Sequence, residues 1–196
     1  MIKQDISTEW VTDFTVATER SLIELVDCAT ADGGTLGFAS PMKEEEAQSF
    51  LNGLRHRVAD GNAHVLLGTS EGRPVFLAIL SLNEMPNCRH RAELSKGVVR
   101  PDFRGRHLVE IAFAKIVQRS ALLGIDQLVL DVRENSRAHI LWQRFGFVTY
   151  GVLEDYARVR SEVCRGHFMV QTVKDLRNRL GSQIFNSTPT KETQHA

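Results

Sequence analysis

The chain has 196 residues, of which 42% are apolar and 24% are charged, so it is long enough to bury a core of ordinary size. Its 24 basic and 24 acidic residues give a formal net charge of zero, which argues against a general affinity for nucleic acid or anionic membranes. No apolar run approaches the roughly 20 residues that a membrane-spanning helix needs, and the first residues lack the apolar core of a signal peptide. We therefore expect a cytoplasmic protein without nucleic-acid or membrane partners.

The three cysteines, Cys28, Cys88 and Cys164, lie far apart and form no Cys-x-x-Cys pair. An odd number at this spacing favours neither a disulfide framework nor a cysteine zinc site. We expect no bound metal.

The first half of the chain predicts a short strand, two helices and a pair of strands. Residues 12–16 are β-prone, and residues 19–31 and 43–59 repeat apolar residues at helical spacing. A Gly-, Ser- and Pro-rich loop over 35–42 separates the two helices. The runs 64–69 and 74–82 predict a β-hairpin, because turn-forming residues lie between them.

The second half alternates strands and helices. Strands are predicted at 91–99, 127–132, 147–156 and 166–173, and helices at 104–123 and 136–145. The polar segment 181–196 is expected to be a disordered tail, which leaves a domain over 1–180. The order of elements predicts one α/β domain with a mixed sheet and helices on both faces.

The segment from Val99 to His107 joins a predicted strand to a long helix. Pro101 ends the strand, since it has no N–H to donate. The turn that follows presents backbone N–H groups at a helix N-terminus, and Arg104 and Arg106 add positive charge, a combination that suits phosphate. Taken alone, the same residues are also consistent with a solvated helix start that carries ordinary surface arginines.

Together with Asn135-x-x-Ala138-x-x-Leu141-x-x-x-x-Gly146-Phe147, this segment resembles the GNAT acyltransferase superfamily, and the resemblance covers about 65–173. It implies a mostly antiparallel sheet in which strand 91–99 splays from strand 127–132. The pantetheine of acetyl-CoA or another acyl-CoA would lie in the opening, and its pyrophosphate would meet the turn after the strand. The residues that this resemblance places against the donor are Val98, Val99, Arg104, Gly105, Arg106, His107, Leu108, Val109, Asn135 and Trp142.

Three further stretches, 34–38, 86–96 and 154–157, are similar to the GNAT branch that contains the tabtoxin-resistance acetyltransferase. This similarity implies an N-acyltransferase that modifies the amine of a small, amino-acid-like metabolite or toxin. Antibiotic resistance is the implied setting, and natural-product biosynthesis is the setting expected if the donor is instead bound to an acyl carrier protein. The expected partner is this small-molecule amine, and the expected assembly is a monomer or a homodimer.

Glu93 is the predicted general base. It lies six residues before Val99, where several GNAT members place a glutamate that deprotonates the acceptor amine. The chemistry requires such a group, because an ammonium cannot attack a thioester before it loses a proton, and a partly dry cleft can raise the pKa of a carboxylate to a useful value. The alternative is a strand-edge glutamate paired with Arg91 or Lys96.

Three further residues are candidates for contact with the acceptor. His90 could be a second base, since its ordinary pKa lies near neutrality, or it could belong to a polar loop. Tyr156 could line the acceptor pocket, or it could be a buried strand aromatic. GNAT members close their acceptor sites with the connection that corresponds to 33–42, so Phe38 is expected to cover the pocket.

The sequence departs from the GNAT pattern at two places. His107 and Val109 replace the small residues that let the backbone approach the pyrophosphate. Trp142 replaces a tyrosine that is thought to protonate the departing thiolate, and indole has no acidic hydroxyl. Trp142 could stack on pantetheine or belong to the core.

Three interpretations of these departures remain open. The turn could bind CoA with altered geometry. The donor could instead be the phosphopantetheine arm of an acyl carrier protein, or the fold could persist as a binding module without catalysis.

Overall fold

The computed structural model describes residues 5–34, 36–38, 40–159 and 162–186. The strands are β1 (Ile6–Val11), β2 (Ala63–Ser70), β3 (Arg73–Leu82), β4 (Arg91–Val99), β5 (Gln127–Arg133), β6 (Val148–Val159) and β7 (Glu162–Thr172). The helices are α1 (Val16–Ala31), α2 (Glu44–Ala59), α3 (Leu108–Leu122), α4 (Arg137–Arg144) and α5 (Val173–Asn186), with short 3₁₀ turns at Pro86–Cys88 and Pro101–Phe103. In the described ranges, no helix has the length and apolar character that crossing a membrane requires.

The seven strands form one sheet in the order β1-β2-β3-β4-β5-β7-β6. Neighbouring strands are antiparallel except β4 and β5, which are parallel. The prediction of a single mixed α/β domain with helices on both faces is confirmed.

Two cores lie on opposite faces of the sheet. The first core packs α3 and α5 against residues from β2 through β5 and from β7, so it extends across most of the sheet. The second core packs α1 and α2 against the other face, and its buried strand residues come from β1, β2, β3 and β4. The second core therefore covers only the half of that face that belongs to the first four strands.

The strand predicted at 12–16 is wrong. The strand lies earlier, at Ile6–Val11, where it pairs antiparallel with β2. Residues 12–15 connect it to α1, and the Thr15 hydroxyl accepts a hydrogen bond from the Thr18 N–H at 3.2 Å. Threonine is β-prone, but here its side chain caps a helix, and the cap overrides that propensity.

The segment predicted to be a tail begins inside a helix, because α5 continues to Asn186. Leu176 and Leu180 are 0% and 5% exposed, and their i, i+4 spacing places both on the first core. Because the residues around these two leucines are mostly polar, the sequence pattern did not predict this amphipathic helix. Residues 187–196, the rest of the predicted tail, lie outside the described residues.

Candidate active site

The sheet opens between β4 and β5. The two strands pair at only three positions, Arg91 with Gln127, Ala92 with Leu128 and Glu93 with Val129. Beyond Glu93, β4 continues along β3 and β5 continues along β7, so the two strands separate. The predicted splay is confirmed. Separated strands expose backbone N–H and C=O groups on both sides of a split, which can bind an extended ligand.

A β-bulge bends β4 at the split. Ile79 pairs with Ser95 and Leu77 pairs with Val98, so β4 has one residue more than β3 between these pairs. Lys96 takes a positive φ of 51° inside the bulge. The extra residue turns the following part of β4 away from β5.

Trp142 of α4 lies against the bulge. A methyl group on Gly97 would lie 3.2 Å from Trp142 Cζ2, so any larger residue at this position would press on the indole. The indole also packs edge-on against Phe113, with ring centroids 5.6 Å apart, and against Phe147 at 5.2 Å. Trp142 therefore joins the first core and forms a wall of the split at the same time.

The turn before α3 exposes backbone N–H groups. Gly105 and His107 have positive φ values of 75° and 59°, and the His107 side chain makes no capping hydrogen bond. Ile111 is the first residue of α3 whose N–H donates a hydrogen bond back to the turn, to the His107 carbonyl oxygen at 3.2 Å. The helical N–H groups before it have no intrahelical acceptor, and they stand at the positive end of the helix dipole. These features fit the phosphates of an acyl-CoA.

Four of the predicted donor residues contribute their side chains to the cores. Val98 and Leu108 are 5% and 2% exposed. Val99 and Val109 are half-buried against the first core. A donor would therefore meet these four residues through their backbone.

The arginines near the turn have different surroundings. Arg106 lies over the Phe103 ring, with 4.6 Å between its Cζ and the ring centroid. Arg104 Nη1 forms an ion pair with Asp32 Oδ2 at 2.7 Å. Arg137, at the start of α4, contacts the same oxygen at 3.2 Å. Positive charge thus lies at both the α3 and the α4 side of the split.

Asn135 orders the turn between β5 and α4. It has a positive φ of 56°, and its N–H donates to His139 Nδ1 at 3.3 Å. His139 is 6% exposed and stacks on His167 at 4.3 Å. Burial and the neighbouring His167 lower the pKa of His139, so the ring is neutral near pH 7 and Nδ1 can accept. Contact of the exposed Asn135 side chain with pantetheine stays a prediction.

Glu93 and Asp131 project from the face opposite the first core. The residues that flank them along β4 and β5 are buried in that core, so alternation places both carboxylates on the α1/α2 side. Burial, and secondly the charge of Asp131, raise the pKa of Glu93. The Tyr156 hydroxyl donates a hydrogen bond to Asp131. The Tyr156 ring crosses the backbone of Gly166, where a methyl group would lie 2.1 Å from Tyr156 Cγ.

Residues 36–38 lie over the bulge next to these carboxylates. Lys96 Nζ donates to the Leu36 carbonyl and lies 5.3 Å from the centroid of the Phe38 ring. Phe38 packs edge-on against Phe50 of α2 at 6.1 Å. Burial lowers the pKa of Lys96, while Asp131 and Glu93 act in the opposite direction. Lys96 thus attaches this loop to β4 instead of pairing directly with Glu93.

The structure brings Glu93, Tyr156 and Phe38 toward one cleft, but His90 lies at its far end. His90 is exposed just before β4, and its carbonyl accepts from the N–H groups of Asp126 and Gln127 at the closed end of the strand pair. Across the described ranges, His, Cys, Asp and Glu residues form no group of three that could hold a metal ion.

The sequence did not identify Asp131 as a site residue, and it indicated Lys96 only as a possible ion-pair partner of Glu93. The available signal for Asp131 was its place in the otherwise apolar stretch 128–132, two residues after Val129. That signal could be interpreted only with the β4–β5 register, because the register places Val129 opposite Glu93.

Comparisons with known proteins agree with this geometry. Residues 27–147 match the model of the Acetyltransferase (GNAT) family. The N-acetyltransferase from Staphylococcus aureus Mu50 is similar in structure, with a TM-score of 0.69, 14% identity and coverage of 86% of this chain and 99% of that one. The ribosomal-protein-alanine N-acetyltransferase from Brucella melitensis has a TM-score of 0.68, 20% identity and coverage of 85% and 99%.

The ribosomal-protein-S18-alanine N-acetyltransferase from Escherichia coli has a TM-score of 0.66, 15% identity and coverage of 86% of this chain and 94% of that one. At these identities the solved structures support the fold alone, and the tabtoxin-resistance branch stays a prediction. The family match spans more than half of the chain and includes the split, the bulge and the turn before α3. The chain therefore belongs to the GNAT acetyltransferase family, whose enzymes transfer an acyl group from an acyl-CoA co-substrate.

Proposed function

We propose that this enzyme transfers an acetyl group from acetyl-CoA to the amine of a small, amino-acid-like molecule, with Glu93 as general base. The position of Glu93 carries the proposal. Glu93 is the last β4 residue paired with β5, so its carboxylate stands where the strands separate. A thioester at the end of a pantetheine arm in the split would lie near this point.

The donor would use two parts of the site. The exposed backbone of the split offers hydrogen bonds to the amides of pantetheine. The pyrophosphate would meet the N–H groups that precede Ile111 in α3, with Arg104 nearby. Trp142 would form one wall of this channel.

The reaction needs one proton removed before the attack. Glu93 takes a proton from the acceptor ammonium, and its raised pKa makes it a better base near neutral pH. The neutral amine then attacks the thioester carbonyl, the C–N bond forms, and the C–S bond breaks. The second amine proton passes through water to the CoA thiolate, which is a tolerable leaving group because a thiol has a pKa of roughly 8.5. Trp142 supplies no acid, and none of these steps requires an acyl-cysteine.

Charge at the cleft supports an amino-acid-like acceptor. The carboxylates of Glu93 and Asp131 suit an ammonium group. Lys96 of the bulge and Arg57 of α2 act electrostatically on Glu93, and their positive charges suit a carboxylate on the acceptor. The Leu36 and Phe38 segment lies over this region and favours a small molecule over a folded protein.

A donor held by an acyl carrier protein is the second candidate. It is favoured by His107, which holds a left-handed conformation where the resemblance expects a small residue. A carrier arm has a single phosphate and would need less of the pyrophosphate turn. Calorimetry with acetyl-CoA distinguishes the two donors. Absence of acetyl-CoA binding, combined with turnover of an acylated carrier protein, would favour the carrier.

Glu93→Gln tests the proposed base. We expect kcat to fall by about 10- to 1000-fold, because positioned acid–base groups contribute on this scale, while the Kd for acetyl-CoA stays unchanged. The assay follows thiol release with a panel of amino acids and related amines. Glu9→Gln, on the exposed surface of β1, is the matched control and should keep full activity. Near-normal turnover by Glu93→Gln, with loss of activity in Tyr156→Phe or His90→Ala instead, would show that the base is elsewhere.

A further inference from the structure

Three arginines converge on the C-terminal end of α1. Asp32 Oδ2 contacts Arg104 Nη1 at 2.7 Å and Arg137 Nη1 at 3.2 Å. Arg133 Nη2 donates to the Gly33 carbonyl at 3.1 Å. The arginines come from the turn before α3, the start of α4 and the end of β5, so they surround the mouth of the split.

The Asp32 carboxylate lies at an unfavourable position within its own helix. Asp32 is the C-cap of α1, and a negative charge at a helix C-terminus opposes the helix dipole. The last turn of α1 contains no basic residue, so among the residues that the structure describes, Arg104 and Arg137 are the cations paired with Asp32. Both Asp32 and Arg104 are more than one third exposed, at 35% and 38%. Exposed ion pairs exchange easily, since solvent screens them.

We infer that Asp32 occupies the arginine pair that the phosphates of the donor bind, so that the donor must displace an internal carboxylate. This inference rests on the proposed donor site. A phosphate matches the planar guanidinium fork at least as well as a carboxylate does and carries more charge. The donor can therefore replace Asp32. Asp32 lowers the affinity for every donor that reaches Arg104 through phosphate, and it leaves phosphate-free donors unaffected.

The chain offers a matched control for Asp32. Asp60 is the C-cap of α2, and it too is followed by a glycine with positive φ. The last turn of α2 contains His56 and Arg57, so Asp60 has basic residues within its own helix. Asp60→Asn therefore removes a carboxylate from the same local structure on a different helix.

Calorimetry on Asp32→Asn tests the inference with two ligands, acetyl-CoA and S-acetylpantetheine, which lacks phosphate. We expect Asp32→Asn to bind acetyl-CoA about three- to tenfold more tightly than the native protein, on the scale of one released charge-assisted contact. Its affinity for S-acetylpantetheine should equal that of the native protein. Asp60→Asn should bind both ligands as the native protein does. Arg104→Met should cost more acetyl-CoA affinity in the Asp32→Asn background than in the native background, because Asp32 no longer masks Arg104.

Each outcome decides a separate point. Unchanged or weaker acetyl-CoA binding by a folded Asp32→Asn variant would overturn the inference and leave the donor site intact. Equal tightening of both ligands would also overturn it, since the effect would not come from phosphate. Failure of every variant to bind acetyl-CoA would contradict the proposed donor itself and the inference with it.

Discussion

Glu93 and Asp131 interact because the end of the β4–β5 pairing places them on one face of the sheet. The negative charge of Asp131 disfavours the ionised form of Glu93, and the positive charges of Arg57 and Lys96 partly offset this effect. Tyr156 holds Asp131 in place, because its hydroxyl donates a hydrogen bond to the Asp131 carboxylate. The result is one carboxylate held in place by a hydrogen bond and a second, Glu93, whose raised pKa suits proton transfer.

The pH dependence of kcat/KM tests this interaction. We expect the rate to rise with pH as Glu93 ionises, with a midpoint above the ordinary range of glutamate because the Glu93 pKa is raised. Asp131→Asn removes a negative charge that raises this pKa, so the midpoint should move to lower pH. Lys96→Met removes a positive charge that lowers it, so the midpoint should move to higher pH. The profile is measured between about pH 4.5 and 7, below the titration of the acceptor amine, whose pKa resembles that of an α-amine at about 8.

Glu93→Gln is the control for this assignment, because its residual activity should lack the titration altogether. An upward shift in Asp131→Asn, or no shift in either variant, would mean that the ascending limb belongs to another group.

His107 shows how the start of α3 accommodates a residue that the GNAT pattern does not favour. Its φ of 59° is in the left-handed region, and its Nδ1 lies 3.3 Å from Glu110 Oε1 in the first turn. The left-handed conformation costs an L-residue about 1–2 kcal/mol. The carboxylate of Glu110 also lies near the N–H groups that would bind phosphate.

His107→Gly should relieve this strain. We expect the free energy of unfolding to rise by up to about 1 kcal/mol, since the glycine gains conformational freedom in the unfolded chain and this offsets part of the relief. We also expect acetyl-CoA to bind more tightly, because the backbone can approach the phosphate more closely. Urea denaturation and calorimetry measure the two effects. Glu71→Gly in the β2–β3 turn, where φ is 51°, should give a similar stability change without a change in affinity.

The two variants separate strain from ligand binding. Equal tightening of acetyl-CoA in His107→Gly and Glu71→Gly, or none in either, would contradict a role of the His107 backbone in donor binding.

The elements that sequence reasoning identified carry strong local signals. The α2 periodicity, the β2–β3 turn and the strand–proline–helix order around Pro101 depend on neighbouring residues, and the structure contains all three. Helix α5 has a weaker signal, because two leucines within a polar segment become informative only when a core accepts them. Asp131 can be identified as a site residue only from the register of strands that are distant in sequence. The role of Asp32 can be inferred only from the positions of two arginines that lie more than 70 residues away in the sequence. Local pattern therefore predicts elements, whereas the charge network of the cleft depends on the assembled sheet.

At the scale of the whole molecule, the cleft results from an incomplete second layer. The first core extends across most of the sheet, while α1 and α2 cover the other face only over the first four strands. Asp131 of β5 and Tyr156 of β6 lie where that cover ends, and they face Glu93 across the split. One continuous core supports both halves, so we expect the domain to unfold as a unit even though β4 and β5 separate.

Two histidines test this cooperativity, because each lies in a different half. His139 of α4 stacks on His167 of β7. His64 of β2 has a buried Nε2 that no group in the described part of the chain contacts by hydrogen bond. Burial lowers the pKa of both, with His167 acting on His139 in the same direction and Arg119 acting on His64 likewise.

The lowered pKa values predict a loss of stability in mild acid. Below the unfolded pKa of about 6.5, the unfolded chain binds protons that the folded chain does not, so the free energy of unfolding falls as pH falls. The stabilising contribution of the neutral histidines is complete above that pH. Each histidine contributes at most about 1.4 kcal/mol per pH unit to the slope of the free energy of unfolding against pH.

We expect His139→Gln and His64→Gln each to reduce this slope between about pH 6.5 and 5. The double variant should reduce it by the sum of the two effects, since the two rings have different partners. Urea unfolding at each pH measures the slope. A single transition whose slope responds to both variants supports one cooperative domain. Two transitions, each sensitive to one histidine, would show that the halves on either side of the split unfold separately.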